Sequence, residues 1–225
     1  MTDDERMLET RRLAAHSRDA ADPTAWFEQL YSAASDGTAT VPWDRGGPHP
    51  MLASWVAANE PGGSGRRALV VGCGLGDDAE LIGSLGFDTI AFDISPTAVA
   101  TTQGRYPSSP VSYVVRSLFE LPTEWIGAFD FVFESQTVQS IPVAMRSAAT
   151  AAVQSAVAPG GELLVIAAAR EPDEPDDGPP WPLTRAEIDA FAGMGLQAVG
   201  VEHLVGPAGP TTWVWRARFE RQPVE

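Results

Sequence analysis

Two rhythms of apolar positions divide the chain near residue 66. Before it, apolar residues recur at helical spacing. In PTAWFEQLYSAA (residues 23–34), Trp26, Phe27, Leu30 and Tyr31 share one helical face, and Ala-Asp-Pro at 21–23 reads as an N-cap followed by the first helical residue. Residues 1–21 are charged and alanine-rich, which predicts a helix with a thin apolar face. SDGTATVPWDRGGPHP (35–50) is rich in Gly and Pro and reads as a loop. MLASWVAANE then makes a short helix closed by PGGSG.

After Arg66 the pattern becomes short apolar runs alternating with amphipathic ones. RALVV, FDTIAFD, VSYVV, FDFVFE and ELLVIAAA read as five strands. Between them, DDAELIGSLG is a helix ended by Gly86, and SPTAVATTQGRY a helix with Ser95 as N-cap and Pro96 in its first turn. VAMRSAATAAVQSAVAPGG is a helix stopped by Pro159 and the glycines. Strands alternating with helices call for a mostly parallel sheet covered on both faces. The ending differs: LTRAEIDAFAGMG is a helix, and LQAVGVEHLV and TTWVWRARFE are strands separated only by GPAGP. That connection is too short for a helical crossover, so the pair should be antiparallel. The predicted fold is α/β: a seven-stranded, mostly parallel Rossmann-like sheet with helices on both faces, an antiparallel C-terminal strand pair and a helical N-terminal cover. Residues 1–60 form the cover and tryptophan loop, and 61–225 the sheet domain, together one structural unit.

Charge narrows the partners. The 225 residues carry a net charge of −15, which repels nucleic acid and anionic lipid. The single cysteine, Cys73, excludes an intrachain disulfide framework and suits a reducing cytosol. No run of about 18 apolar residues suggests a membrane span, and no signal peptide opens the chain. The expectation is a cytoplasmic chain with a small-molecule partner, as monomer or homodimer. Three scattered histidines and one cysteine give no metal-ligand spacing.

Ligands of an open α/β sheet bind beyond the carboxyl ends of its strands. There the chain places GCGLG with Gly72, Gly74 and Gly76, then Asp93, then Arg116-Ser117-Leu118, then Glu134-Ser135. Asp93 lies 19 residues beyond Gly74, the distance for a carboxylate that takes two ribose hydroxyls. Gly74, Gly76 and Ala79 also satisfy G-x-G-x-x-A, the dinucleotide fingerprint. Asp77 and Asp78 oppose that reading, since each like-charge pair with a pyrophosphate costs on the order of 1 kcal/mol. S-adenosylmethionine has no phosphate and carries a sulfonium and an ammonium, which acidic neighbours favour.

A second motif joins these. PWDRGGPHP (42–50) fits P-W-D-x-G-x-x-x-P, found ahead of the glycine loop in the thiopurine, thiol and halide methyltransferase group, and GCGLGDD, AFDIS and FDFVFE resemble that group's glycine loop, D-I-S stretch and fourth strand. Over residues 26–169 the chain is thus similar to this group of class I S-adenosylmethionine-dependent methyltransferases. The resemblance implies a methyltransferase that takes S-adenosyl-L-methionine and releases S-adenosyl-L-homocysteine. It implies that Trp43 packs against the cofactor, where an indole face beside a sulfonium gives a cation–π contact of about 0.5–2 kcal/mol. Gly72, Gly74 and Gly76 let the backbone approach the methionine moiety, Asp93 takes the ribose, and Ile94, Ser117 and Leu118 flank the adenine. Glu134 lies near the methionine amino group and the transfer channel. Ser117 stands where many methyltransferases carry aspartate, and Ser135-Gln136 replaces an aromatic residue of some relatives, which argues against a halide-type pocket.

The acceptor side is read from the residues alone. A thiol is already partly thiolate near neutral pH, whereas a phenol or alcohol needs a base. The candidate bases are Glu134, His203 and His49, of which His49 in the tryptophan loop is the best placed. Trp26, Phe27, Ser135 and Trp181 are candidates for the acceptor pocket, while Cys73 among acidic neighbours and the Trp213/Trp215 pair read as packing. The expected activity is methyl transfer to a small molecule, with sulfur favoured by the resemblance. O- or N-methylation of an aromatic natural product and a non-catalytic binding module stay open.

Overall fold

The computed structural model of the chain describes residues 2–16, 22–174, 178 and 180–223. Three helices come first: α1 (Asp3–His16), α2 (Ala25–Ser35) and α3 (Pro50–Asn59). The alternating part follows as β1 (Arg67–Val71), α4 (Asp77–Ser84), β2 (Asp88–Asp93), α5 (Pro96–Arg105), β3 (Ser112–Val115), β4 (Phe129–Ser135), α6 (Arg146–Ala156) and β5 (Val157–Ala168). The chain closes with α7 (Arg185–Asp189), β6 (Leu196–Val205) and β7 (Trp213–Arg221). Among the described residues the strands form one seven-stranded sheet in the order β3-β2-β1-β4-β5-β7-β6. The first five are parallel, and β7 runs antiparallel to both β5 and β6.

Alternation along the buried strands builds a core on each face. Leu69, Val132, Leu163 and Val165 meet α6 and α7 through Ala149, Val153 and Ile188 on one side. Val70, Phe131, Phe133 and Leu164 meet α3 and α4 through Leu52, Trp55, Ala79 and Ile82 on the other. The strand order reverses between β1 and β4, and the loops after β1, β2, β3 and β4 crowd that crevice.

Four features differ from the sequence pattern, each for a local reason. Helix α2 starts at Ala25 rather than Pro23, and Ala21 lies outside the described residues. Asp22 serves the entry turn instead, accepting from the Thr24 N–H at 2.9 Å and its hydroxyl at 2.7 Å. Helix α6 ends at Ala156, before Pro159, because proline excludes its predecessor Ala158 from helical dihedrals, and Val157 pairs with Phe129 in the sheet. Helix α7 is only five residues long. Thr184 and Glu187 form its capping box, and the Gln154 side chain caps its other end, donating to the Ala190 carbonyl at 3.0 Å. Trp213 and Trp215 do not share a core. The Trp215 indole donates to the Leu183 carbonyl at 2.8 Å and is buried, whereas Trp213 is 43% exposed at the strand's start.

The N-terminal cover is tied down by polar contacts as well as apolar ones. Leu13 and Ala14 of α1 pack with Trp26 and Leu30 of α2. The Thr10 hydroxyl donates to the Thr40 carbonyl at 2.7 Å. Glu28 of α2 accepts from the Ser95 hydroxyl at 2.5 Å and the Thr97 hydroxyl at 2.6 Å, fastening the cover to the start of α5. Burial would raise the Glu28 pKa, but the Ser95 and Thr97 hydrogen bonds bring it below the ordinary value.

Candidate active site

A cavity of about 590 Å³ opens at the carboxyl ends of the central strands, within the usual size of small-molecule and cofactor sites. Its floor is the glycine loop, and its roof is α1, α2 and the tryptophan loop. The sequence-predicted residues Trp43, Gly72, Gly74, Gly76, Asp93 and Ile94 all line it. So do Ser117 and Leu118, as well as Trp26, Phe27, Ser135 and His49. Glu134 and Trp181 do not line it.

The three glycines have φ of +60°, +52° and +92°, which only glycine adopts freely. A side chain would meet protein on each. A Cβ on Gly72 would sit 2.2 Å from the Thr137 Oγ1, on Gly74 2.9 Å from the Tyr31 hydroxyl, and on Gly76 2.4 Å from a Thr102 methyl. The glycines therefore let the turn after β4, the cover and α5 close around the loop, as much as they admit a ligand.

Asp93 ends β2 with its carboxylate buried. One oxygen accepts from the Gly74 N–H and the other from the Ser95 N–H, both at 2.9 Å. Burial raises its pKa against these two hydrogen bonds. Each oxygen retains a lone pair for a ligand hydroxyl. Trp43 stands over Gly74, with its indole N–H on the Tyr31 hydroxyl at 2.7 Å and its ring edge-on to Trp26 and Tyr31 at 6.0 Å. Burial pushes the Tyr31 hydroxyl well above its ordinary value, so it stays protonated. Cys73 is packing, as its sequence context implied: burial, then Asp93, push its thiol up.

Asp77 and Asp78 both line the cavity and both have partners. Asp77 accepts from the Tyr106 hydroxyl at 2.5 Å and pairs with Arg105, which also holds Asp44 at 3.2 Å. Asp78 accepts from the His49 N–H at 2.6 Å, and burial raises its pKa to about 6.

The three candidate bases are placed against that role. His49 caps α3: its Nδ1 accepts from the Met51 N–H at 3.1 Å, so the proton of the neutral ring sits on Nε2. Burial, then the charge of Arg45, lowers its pKa to about 4. His49 is thus a hydrogen-bond donor with no lone pair to offer. The Glu134 Oε1 accepts from the Thr137 and Val138 N–H groups at 2.8 and 2.9 Å, closing the turn after β4 beneath the cavity wall. Its Oε2 is buried without a partner among the described residues. His203 stacks on Trp215 and lies tilted against Trp213 at the sheet edge, away from the cavity. Trp181, a candidate for the acceptor pocket, is a buried anchor outside the cavity: its N–H donates to the Gln139 carbonyl at 2.7 Å, and its carbonyl accepts from Arg146 at 2.6 Å.

Burial raises the Glu134 pKa to about 7, against the two N–H groups that favour its charge. The folded chain therefore binds a proton there that the unfolded chain releases near the ordinary carboxylate pKa. Stability is lost as pH climbs from about 4.5 to about 7, on the order of 1–3 kcal/mol. Glu134→Gln keeps an acceptor for both N–H groups and removes the titration. Chemical denaturation at pH 5 and pH 8 should show a smaller drop for the variant than for the wild type, and an equal drop would refute the assignment.

Sequence patterning missed Arg45, Gln136 and Thr137 as site residues. Gln136 has φ of +63°, rare for a residue with a side chain, and presents its amide oxygen to Arg45 at 3.3 Å. That conformation leaves no mark in a hydrophobic pattern.

Sheet order, antiparallel end and cavity together define a class I S-adenosylmethionine-dependent methyltransferase. A match to the thiopurine S-methyltransferase family model spans residues 34–207, and the chain belongs to that family. It is 29% identical over 195 residues to the "probable thiol methyltransferase 2" of Arabidopsis thaliana, covering 80% of this chain and 84% of the relative. To the thiocyanate methyltransferase 1 of the same plant it is 31% identical, covering 72% of this chain and 71% of the relative. The fold matches the solved N-methyltransferase NodS of Bradyrhizobium japonicum WM9 in complex with S-adenosyl-L-homocysteine. The TM-score is 0.65 at 19% identity, covering 86% of this chain and 98% of that one.

Proposed function

We propose that the chain transfers a methyl group from S-adenosylmethionine to sulfur on a small-molecule acceptor. The observation that carries the choice of sulfur is the state of His49 and Glu134. The first has its only lone pair on the Met51 N–H, and the second lies outside the cavity. Neither takes a proton from an acceptor there, which favours an acceptor that ionises by its own acidity, as thiols do.

The residues present fit the cofactor. Asp93 offers lone pairs to ribose hydroxyls at the depth where Ile94 and Leu118 supply apolar surface for an adenine, with the Ser117 hydroxyl at its edge. Four aspartates line the cavity, Asp44, Asp77, Asp78 and Asp93, which suits a ligand with a sulfonium and an ammonium and opposes a pyrophosphate. When bound, S-adenosylmethionine supplies an electrophilic methyl group. The chain's part is positioning and exclusion of water: Trp26, Phe27 and Trp43 form the aromatic wall, and Tyr31 fixes the Trp43 ring. Glu134 acts as the support of the turn that carries Ser135 and Gln136, rather than touching the acceptor. The acceptor thiol loses its proton to solvent, and its sulfur leaves as a methyl thioether.

Among the described residues no helix is long and apolar enough to cross a membrane. The charge of −15 supports a small-molecule partner over nucleic acid, and the free Cys73 supports a cytoplasmic setting, as monomer or homodimer.

Calorimetric titration with S-adenosylmethionine should show stoichiometric binding, and NAD none. Thiols and phenols of matched shape, followed by mass spectrometry of the products, then test the acceptor. The thiol should react faster, with a rate that follows its own ionisation as pH rises. Faster turnover of the phenol would sink the sulfur assignment.

A further inference from the structure

In P-W-D-x-G-x-x-x-P, Arg45 fills the first open position and His49 the last, so both stand where the motif leaves the residue free. The loop brings them to one cavity. The Arg45 guanidinium donates to the Trp43 carbonyl at 3.2 Å and to the Gln136 amide oxygen at 3.3 Å, spanning the tryptophan loop and the turn after β4. Those two bonds leave it three of its five N–H groups. It makes no ion pair among the described residues.

The acids of the cavity are otherwise engaged. Asp44 and Asp77 share Arg105, Asp93 accepts two backbone N–H groups, and Asp78 accepts the His49 N–H. His49 is 2% exposed, and its Nε2 is buried without a partner among the described residues. Since Nδ1 is an acceptor, Nε2 carries a hydrogen that no acceptor among the described residues receives. A buried donor left unpaired costs about 1–3 kcal/mol, which a ligand acceptor recovers. Arg11 and Arg116 line the same cavity without ion pairs among the described residues.

We propose that the Arg45 guanidinium and the His49 Nε2–H together anchor a carboxylate-type anionic group on the methyl acceptor. This rests on the methyltransferase reading above and names its substrate class: a thiol that bears a carboxylate. A planar fork facing a carboxylate gives two parallel charge-assisted hydrogen bonds, and the imidazole N–H adds a third from the wall. The sulfonium ligand has a carboxylate of its own, so the test must separate the two.

The probes are 4-mercaptobenzoate and 4-mercaptobenzamide, titrated by calorimetry into the full chain saturated with S-adenosyl-L-homocysteine. The variants are Arg45→Gln and His49→Asn, the latter keeping a side-chain oxygen to cap α3 while removing the distant N–H. Wild type should bind the carboxylate at least about tenfold more tightly than the amide. Arg45→Gln should weaken the carboxylate about 10- to 100-fold and the amide less than about threefold. His49→Asn should lose a smaller part of the same preference. The affinity for S-adenosyl-L-homocysteine itself should stay within about twofold in both variants. Equal affinity for the two probes, equal loss of both in Arg45→Gln, or binding of neither overturns the proposal. A parallel loss of S-adenosyl-L-homocysteine affinity also overturns it, by assigning Arg45 to the cofactor's carboxylate. Failure of the wild type to bind S-adenosyl-L-homocysteine removes the parent reading as well, whereas its binding without a carboxylate preference removes this one alone.

Discussion

Asp93→Ala should lower the affinity for S-adenosyl-L-homocysteine by about 100-fold or more and destabilise the unliganded chain by about 2–4 kcal/mol. The two losses have separate origins. The lost lone pairs are those available to ribose hydroxyls. The lost stability comes from the Gly74 and Ser95 N–H groups, both buried and both bonded at 2.9 Å to this one side chain. Gly74 holds the floor of the cavity, and Ser95 caps α5 through the Ala98 N–H at 3.0 Å. The substitution therefore loosens the loop after β1 and the helix after β2 together. Asp93→Asn retains one oxygen for one N–H and turns an amide N–H against the other. It should fall between wild type and alanine in melting temperature, with binding nearer the alanine value. Calorimetry for affinity and a thermal melt without ligand separate the effects. An Asp93→Ala chain that binds within threefold of wild type would remove Asp93 from the cofactor site.

The same pair of bonds shows what could be read from the residues and what could not. The 19-residue spacing placed an acid and a glycine at adjacent strand ends, because strand lengths and a crossover helix fix that distance. The mostly parallel sheet and its antiparallel end followed from connection lengths in the same way, whereas the order of the strands did not. Direction did not. Glu134 also stands at a strand end, yet its carboxylate folds back onto the Thr137 and Val138 N–H groups, a turn contact that period-two patterning cannot express. His49 was legible as a loop histidine facing the site. Its role as the cap of α3 depends on Pro50 following it and on the Met51 N–H meeting Nδ1. That cap settles the tautomer and reverses the chemistry from base to donor. Trp213 and Trp215 occupy one face of a strand, but only the second is covered by the segment carrying Leu183, so burial followed from neighbours remote in sequence. The glycines were readable as obligatory, and the structure changes the reason.

Gly72→Ala tests that reason. Alanine at φ +60° costs about 1–2 kcal/mol by itself. Its methyl would lie 2.2 Å from the Thr137 Oγ1 and 2.9 Å from the Thr137 Cγ2, so the turn after β4 must move. That turn is held to the end of β1 by the Thr137 hydroxyl on the Val71 carbonyl at 3.1 Å, and it carries Ser135 and Gln136 into the cavity wall. The expected result is a loss of about 3 kcal/mol or more in stability and of about 100-fold in affinity for S-adenosyl-L-homocysteine. Thr137→Ala alone should cost about 1 kcal/mol, the value of the lost hydrogen bond. In the double variant the worst contacts disappear, and the remaining approach is the 3.1 Å to the Thr137 Cβ. The double variant should therefore be more stable than Gly72→Ala alone, although it carries one substitution more. Such a sign of coupling is produced only when the two side chains compete for one space. Additive losses in denaturant melts would mean that the dihedral alone demands glycine here. Coupled losses with binding partly restored would mean that this glycine keeps the two walls of the cavity in register.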